Sequence, residues 1–250
     1  MDALTVSAAS GMKARLESLE MLANNLANQV AAGYKADREF YSLYLASEAV
    51  EATGQEASSW PPVLPVIDRH WTDFSQGNLI STGDAAHVAI SGRGFFVVQG
   101  PNGPLYTRNG NFRLSPAGVL VTEQAYPVLD RAGRPIQIDP ALPFEVAADG
   151  AIRQDGALVA TLDVADFAHP EALAKHAGTY FRPAGPNAAP ARAAGFDLYQ
   201  GKLEGANVAP AEAAVRLVSV MRQFEMLQRA AALGGEMNRK AIEEVARVGS

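Results

Sequence analysis

Four histidines, His70, His87, His169 and His176, are the first side chains to weigh, because imidazole can bind metals and move protons near neutral pH. Only His169 and His176 are near neighbours, seven positions apart, and that is not the ligand spacing of a zinc site. Each reads as an ordinary surface or boundary histidine. Gly92-Arg93-Gly94 has the composition of a phosphate loop, but it runs into Phe95-Phe96-Val97-Val98, a strand, and so lacks the helix N-terminus that would bind the anion. Asp149-Gly150 and Asp155-Gly156 would need further carboxylates at short spacing to cage calcium, so they read as turns. No Gly-x-Ser-x-Gly elbow is present to hold a serine nucleophile. No reaction class, cofactor or metal is indicated.

The elements that would position any site come next. The chain has 250 residues, enough for one sizeable core with extensions or for two small domains, and at 48% hydrophobic and 19% charged it should fold. A formal net charge of −6 with singly scattered Lys and Arg offers no basic face for nucleic acid. No apolar window reaches the roughly 20 residues of a membrane span. The opening residues do not form the basic and apolar regions of a cleaved signal peptide. With no cysteine, the protein is indifferent to the redox state of its compartment.

Both ends carry helical seams. Met12, Leu16, Leu19, Ala23, Leu26 and Val30 alternate steps of four and three, and Gly33 supplies the stop. Ala213, Leu217, Val220, Phe224, Leu227, Ala231 and Gly234 repeat the pattern and continue through Asn238, Ala241, Val245 and Val248, behind Pro210 at the first turn. Gly234-Gly235 is the weak point of this second helix. Seams this long favour helix-on-helix pairing over packing on a twisted sheet.

Between Val63 and Phe196 the texture changes to short apolar runs, such as Val88–Ile90, Gly94–Val98 and Leu105–Thr107, separated by Gly, Pro, Asn and Asp. Asn109-Gly110 is the strongest hairpin signal, since a type I′ turn requires positive φ at both positions, and Asp149-Gly150 is a second. Segments 46–62 and 182–195, rich in Ala, Gly, Ser and Pro, read as linkers. The expected fold is a mainly β central domain flanked by N- and C-terminal α-helices that pair as a coiled coil. Its parts are an N-terminal helix and turn at 1–45, a linker at 46–62, a β-rich body at 63–205 and a C-terminal helix at 206–250.

Three ordered blocks carry a family resemblance. Asn24-Asn25-Leu26-Ala27-Asn28 followed by Gly33-Tyr34-Lys35 resembles the N-terminal signature of the flagellar rod and hook proteins, the axial proteins of the basal body, with Ala31-Ala32 where members often carry Thr-Pro. The run from Ile90 through Gly94-Phe95-Phe96, Tyr106-Thr107-Arg108-Asn109-Gly110 and Leu120-Val121-Thr122 is similar to that family's central β-domain. Leu203-Glu204-Gly205-Ala206-Asn207-Val208 is similar to the segment that introduces its C-terminal helix, with Ala206 where Ser is usual. Modest length and the stretch Arg222-Gln223-Phe224-Glu225-Met226 resemble proximal rod subunits more than distal ones.

The resemblance implies a non-enzymatic structural subunit of the rod, polymerising through its terminal helices into the axial tube that transmits torque. It implies export by the flagellar type III apparatus without a cleaved signal, a place in the basal body spanning the periplasm, and as partners other copies of the chain and neighbouring axial proteins. Neither nucleic acid nor membrane insertion is expected. The expected assembly interface comprises Met12, Leu16, Leu19, Leu26, Val30, Asn24, Asn25, Asn28 and Gly33 at one end, and Asn207, Val208, Leu217, Val220, Phe224 and Leu227 at the other. A rival reading of the residues alone is a secreted β-rich binding module with dimerising helices, for which a concave aromatic face would be expected.

Overall fold

The structure is a computed structural model that describes residues 3–45, 63–185 and 188–248. The expected linker 46–62 lies outside the described residues. In chain order the elements are α1 (Ala3–Ala27), β1 (Asp37–Leu45), β2 (Val63–Thr72), β3 (Leu79–Ser81), β4 (Val88–Gly92), β5 (Phe95–Gly100), β6 (Gly103–Thr107), β7 (Phe112–Leu114), β8 (Leu120–Thr122), β9 (Phe144–Val146), β10 (Ala151–Gln154), β11 (Ala157–Thr161), β12 (Val164–Asp166), β13 (Leu173–His176), β14 (Tyr180–Pro183), β15 (Ala191–Arg192), β16 (Phe196–Gln200), β17 (Lys202–Glu204) and α2 (Pro210–Val248). They fall into two compact units. A helical unit takes Met1–Leu26, Asp37–Trp71 and Ala209–Ser250, and a β unit takes Ala27–Ala36 and Thr72–Val208.

In the helical unit, α1 and α2 meet at Met21, Leu22 and Val220, all buried, with Leu19 and Leu217 packed against them. Gly11 lets Leu227 approach, since a Cβ at that position would lie 3.3 Å from the leucine Cδ1. The buried stripe of α1 is Gly11, Ala14, Ser18, Met21, Leu22 and Asn25. It is rotated from the expected seam, whose Leu16 is 49% exposed. The reason is polar satisfaction. Ser18 Oγ bonds Glu39 Oε2 at 2.6 Å, and Arg216 donates to the other oxygen of the same carboxylate at 2.6 Å. A face holding Ser and Asn can therefore turn inward, which a count of apolar residues does not register.

The first helix also stops sooner than the seam requires. It ends at Ala27, so Val30, 89% exposed, belongs to the turns that lead to Gly33. In α2 the expected stripe matches the less exposed face from Ala213 to Gly234, and the helix runs without interruption through Gly234-Gly235. Strands β1 and β2 form a two-stranded sheet, and the contacts of β2 place it almost wholly with the helices.

The β unit is built on a six-stranded sheet ordered β13-β14-β6-β5-β12-β15, with smaller sheets around it. Strand β5 explains its unbroken Phe-Phe-Val-Val run. Phe96 and Val98 enter one core with Val88, Leu105, Phe112 and Ile152. Phe95 and Val97 enter a second core with Tyr106, Phe167 and Phe181. A strand covered on both faces has no polar side to alternate.

The Asn109-Gly110 hairpin expectation is corrected. Neither residue has positive φ, and the strands on either side pair elsewhere, β6 with β5 and β14, β7 with β8. Asn109 instead closes an Asx turn by accepting from the Asn111 amide at 2.9 Å. Gly110 is required for a close backbone approach, because a Cβ there would lie 1.6 Å from the Val88 carbonyl oxygen. The two-residue turn with positive φ at both positions occurs at Asp155 (48°) and Gly156 (77°), between β10 and β11. Asp149-Gly150 does link a hairpin, β9 to β10. Segment 182–195 is no loose linker: it contains the end of β14, all of β15 and the buried Ala188 and Ala193.

Candidate functional site

The histidines come to nothing catalytic. His87 Nδ1 lies 2.9 Å from Thr82 Oγ1, His169 Nδ1 lies 2.9 Å from Glu171 Oε1, His70 is exposed, and His176 pairs opposite Tyr180 in a hairpin. Among the described residues no group of three or more His, Asp or Glu is placed to hold a metal. Among them, too, no helix is long and apolar enough to cross a membrane. Arg93 is held by Asp166, Nε to Oδ2 at 3.1 Å, and by the Phe167 carbonyl at 3.0 Å. Phe95, Tyr106, Phe167 and Phe181 stack in the interior of the β unit rather than along a concave face.

The chemistry that the fold does concentrate is a buried charge cluster. Glu204, at the end of β17, is 0% exposed. Its Oε1 accepts from Lys35 Nζ at 2.6 Å and from the Gly77 amide at 2.9 Å. Its Oε2 faces Arg108 Nε at 2.8 Å, an ion pair without a directed hydrogen bond. Arg108 spends its terminal nitrogens on the Gly94 and Gly92 carbonyls, at 2.7 and 2.9 Å, and Lys35 also donates to the Ser75 carbonyl at 2.6 Å.

Two cations thus share one carboxylate out of contact with water. Burial lowers the Lys35 ammonium below the usual lysine range, with Glu204 pulling the other way. Burial likewise lowers Arg108, against the attraction of Glu204 and then Asp166. Desolvating such a group is expensive, and the cluster holds because backbone groups of two segments, Ser75 to Gly77 and Gly92 to Gly94, supply hydrogen-bond partners.

Gly33 is fixed by the same cluster. Its amide donates to the Glu204 carbonyl at 2.7 Å. Its φ is +67°, and a Cβ would lie 2.3 Å from the Arg108 carbonyl carbon. Next to it, Asn207 bonds Ala36, Asp73 and Ser75. The two signature segments, around Gly33-Tyr34-Lys35 and around Leu203 to Val208, are therefore one structure in space.

The expected interface residues are divided by the fold. Leu19, Leu217 and Val220 pack in the helix pair, and Met12, Leu26, Phe224 and Leu227 are half-buried. Leu16 and Asn24 are exposed, and Asn28 and Val208 are half-buried. Asn25 is buried and holds Asp37 twice, Nδ2 to its carbonyl at 2.8 Å and Oδ1 from its amide at 3.0 Å. Lys35, Arg108 and Glu204 were missed as a group. The available signal was that each of the three signature blocks contains one of these charged residues.

The β unit is joined to a helical unit made from both chain ends, and the charge cluster ties its signature segments together, an arrangement that serves structure. Residues 89–160 match the family model described as the flagellar hook protein FlgE/F/G D1 domain, and residues 199–244 match the flagellar basal body rod FlgEFG protein C-terminal family. The chain is 33% identical over 249 residues to the flagellar basal-body rod protein FlgF of Caulobacter vibrioides, covering 99% of each. It is 30% identical over 219 residues to FlgF of Mesorhizobium japonicum, covering 87% of each. To the flagellar basal-body rod protein FlgG of Agrobacterium fabrum it is 30% identical over 260 residues, covering 95% of this chain and 97% of the relative. The chain belongs to the flagellar basal-body rod protein family, with the proximal rod type first in similarity. It is a structural subunit of the basal-body rod.

Proposed function

We propose that the subunit polymerises through its helical ends, with copies of itself and with neighbouring axial rod proteins. The observation that carries this is a second apolar stripe on α2, turned away from the helix pair. Val215 is 72% exposed, Val218 49%, Met226 60%, Leu233 61% and Met237 72%. Val215, Val218 and Met226 line a shallow trough along the helix with Arg222. Each such side chain gains roughly 1.5–3 kcal/mol on full burial, so several together favour association with another helix. The less exposed stripe, with Leu217, Val220, Phe224 and Leu227, would serve a coiled-coil pairing inside the subunit. Leu16 on α1, with Met12 and Leu26 beside it, would add to the contacts between subunits.

In this reading 1–45 and 206–250 make the axial core, 46–62 is the linker and 63–205 folds as a self-contained body. The grouping of β2 with the helices supports moving the start of that body to Thr72. The subunit travels through the flagellar export apparatus without a cleaved signal and works where the rod crosses the periplasm. Family membership supports this route, and a chain without cysteine undergoes no thiol chemistry on changing compartment.

The test is the double variant V215D/V218D. Its helical content and melting temperature should match wild type, while its incorporation into isolated basal bodies and cell motility should be lost. Normal incorporation and motility would overturn the assignment of that face.

A further inference from the structure

The chain passes out of or into the β unit at four places: before Ala27, after Ala36, before Thr72 and after Val208. Three of these passes meet at one side chain. Asn207 Oδ1 accepts from the Ala36 amide at 2.7 Å. Its Nδ2 donates to the Asp73 carbonyl at 2.7 Å and reaches the Ser75 carbonyl and Oγ at 3.2 and 3.1 Å. Its own amide donates to the Tyr34 carbonyl at 3.3 Å, and the Asp73 amide donates to the Ala36 carbonyl at 2.8 Å. Residues 36, 73 and 207 thus close a ring of hydrogen bonds. Immediately behind it, Glu204 joins the first pass through Gly33 and Lys35, the second through Gly77, and the sheet through Arg108.

From this geometry we infer that Asn207 and the Lys35–Glu204–Arg108 cluster act as a torsion lock, binding three chain passes into one cross-section that shares load and opens only as a whole. A single pass resists twisting only through its soft φ and ψ angles. Three passes tied at the same level cannot rotate independently without breaking bonds in all of them. The side chain must be a primary amide, because one group has to accept from Ala36 while donating to Asp73 and Ser75. Ser, Asp or Ala leaves part of that set unpaired. Asn207 is a positioning residue for a torque-bearing subunit. The lock lies wholly inside the β unit and does not depend on which helix face polymerises, so failure of the V215D/V218D test would leave it standing.

Hydrogen exchange on the full chain, resolved at single amides, tests the lock in wild type and N207A. The Ala36 amide loses its partner directly and must exchange faster. Cooperative opening also requires the amides of Gly33, Asp73 and Gly77, whose acceptors are on Glu204 and Ala36 rather than Asn207, to exchange at least about tenfold faster. Phe96 and Val98 in β5 should keep their protection. Acceleration confined to Ala36 overturns the inference. N207D keeps the acceptor and loses the donors, so it should speed the same set from the Asp73 side if N207A does not fold; unchanged exchange at Gly33 and Gly77 in it has the same overturning force. In cells, the ratio of swimming speed in viscous to dilute medium should fall below that of wild type, and an unchanged ratio overturns load sharing.

Discussion

Lys35 Nζ and Glu204 Oε1, 169 positions apart in the chain, lie 2.6 Å from each other with both side chains closed to solvent. The pair brings the residues just after the first helix onto the residues just before the last one. It depends on a complete β unit between them, since Arg108 and Gly77 supply the rest of the carboxylate's surroundings.

Removing that charge without changing its shape should be severe. Glu204→Gln leaves Lys35 and Arg108 buried without the carboxylate they share, and breaking a buried pair from one side costs about 3–5 kcal/mol. Urea denaturation followed by tryptophan-independent circular dichroism in the β region measures it. A loss under about 1 kcal/mol would show the cluster is not the anchor described.

Asp163 predicts a pH effect. Burial raises its carboxyl above the usual aspartate range, against the pull of Arg192 and Arg131. With the folded pKa above the unfolded one, the folded state binds the proton more tightly, so ionisation lowers stability as pH rises through that window. Asp163→Asn should therefore be more stable than wild type at pH 7. Its advantage should shrink as pH falls through the folded pKa and vanish near the unfolded value of about 3.9. Paired thermal melts from pH 3 to 7 decide it, and an advantage that persists unchanged at low pH refutes the cause given.

Gly110→Ala isolates a steric effect, because the backbone there is outside the left-handed region and the added Cβ meets the Val88 carbonyl first and the Phe96 ring next. Relieving a 1.6 Å approach to the carbonyl oxygen requires moving β4 or the 109–111 turn. The expected loss is about 3 kcal/mol or more, in the range of core overpacking. A shift in melting temperature no larger than that of an exposed surface substitution would contradict the close approach.

Asn25→Ala should act on the helical unit alone. It strips both of these bonds from the Asp37 backbone at the buried face of α1, a loss of about 1–3 kcal/mol. Limited proteolysis should then cut near residues 37–45 sooner, with the β unit as resistant as before. Equal cutting rates in variant and wild type would dismiss the clamp.

The sequence by itself determined the main division of the molecule. Helical periodicity marked both ends, short apolar runs with turn residues marked the middle, Pro210 marked the start of α2, and the three signature blocks marked the family. These are local or linear signals. The tertiary structure decided what each signal was for. Asn109-Gly110 has the composition of a hairpin turn, yet Gly110 serves a carbonyl that comes from β4, 22 positions earlier. Ser18 and Asn25 interrupt an apolar pattern, yet they face inward because Glu39 and Asp37 meet them there. Lys35, Arg108 and Glu204 sit in separate blocks as ordinary charged residues, and only the closed β unit removes water from them. A charge or amide shows its role only when folding has fixed its partners, because hydrogen bonds and ion pairs are directional, short-ranged and, once buried, costly to leave unmade.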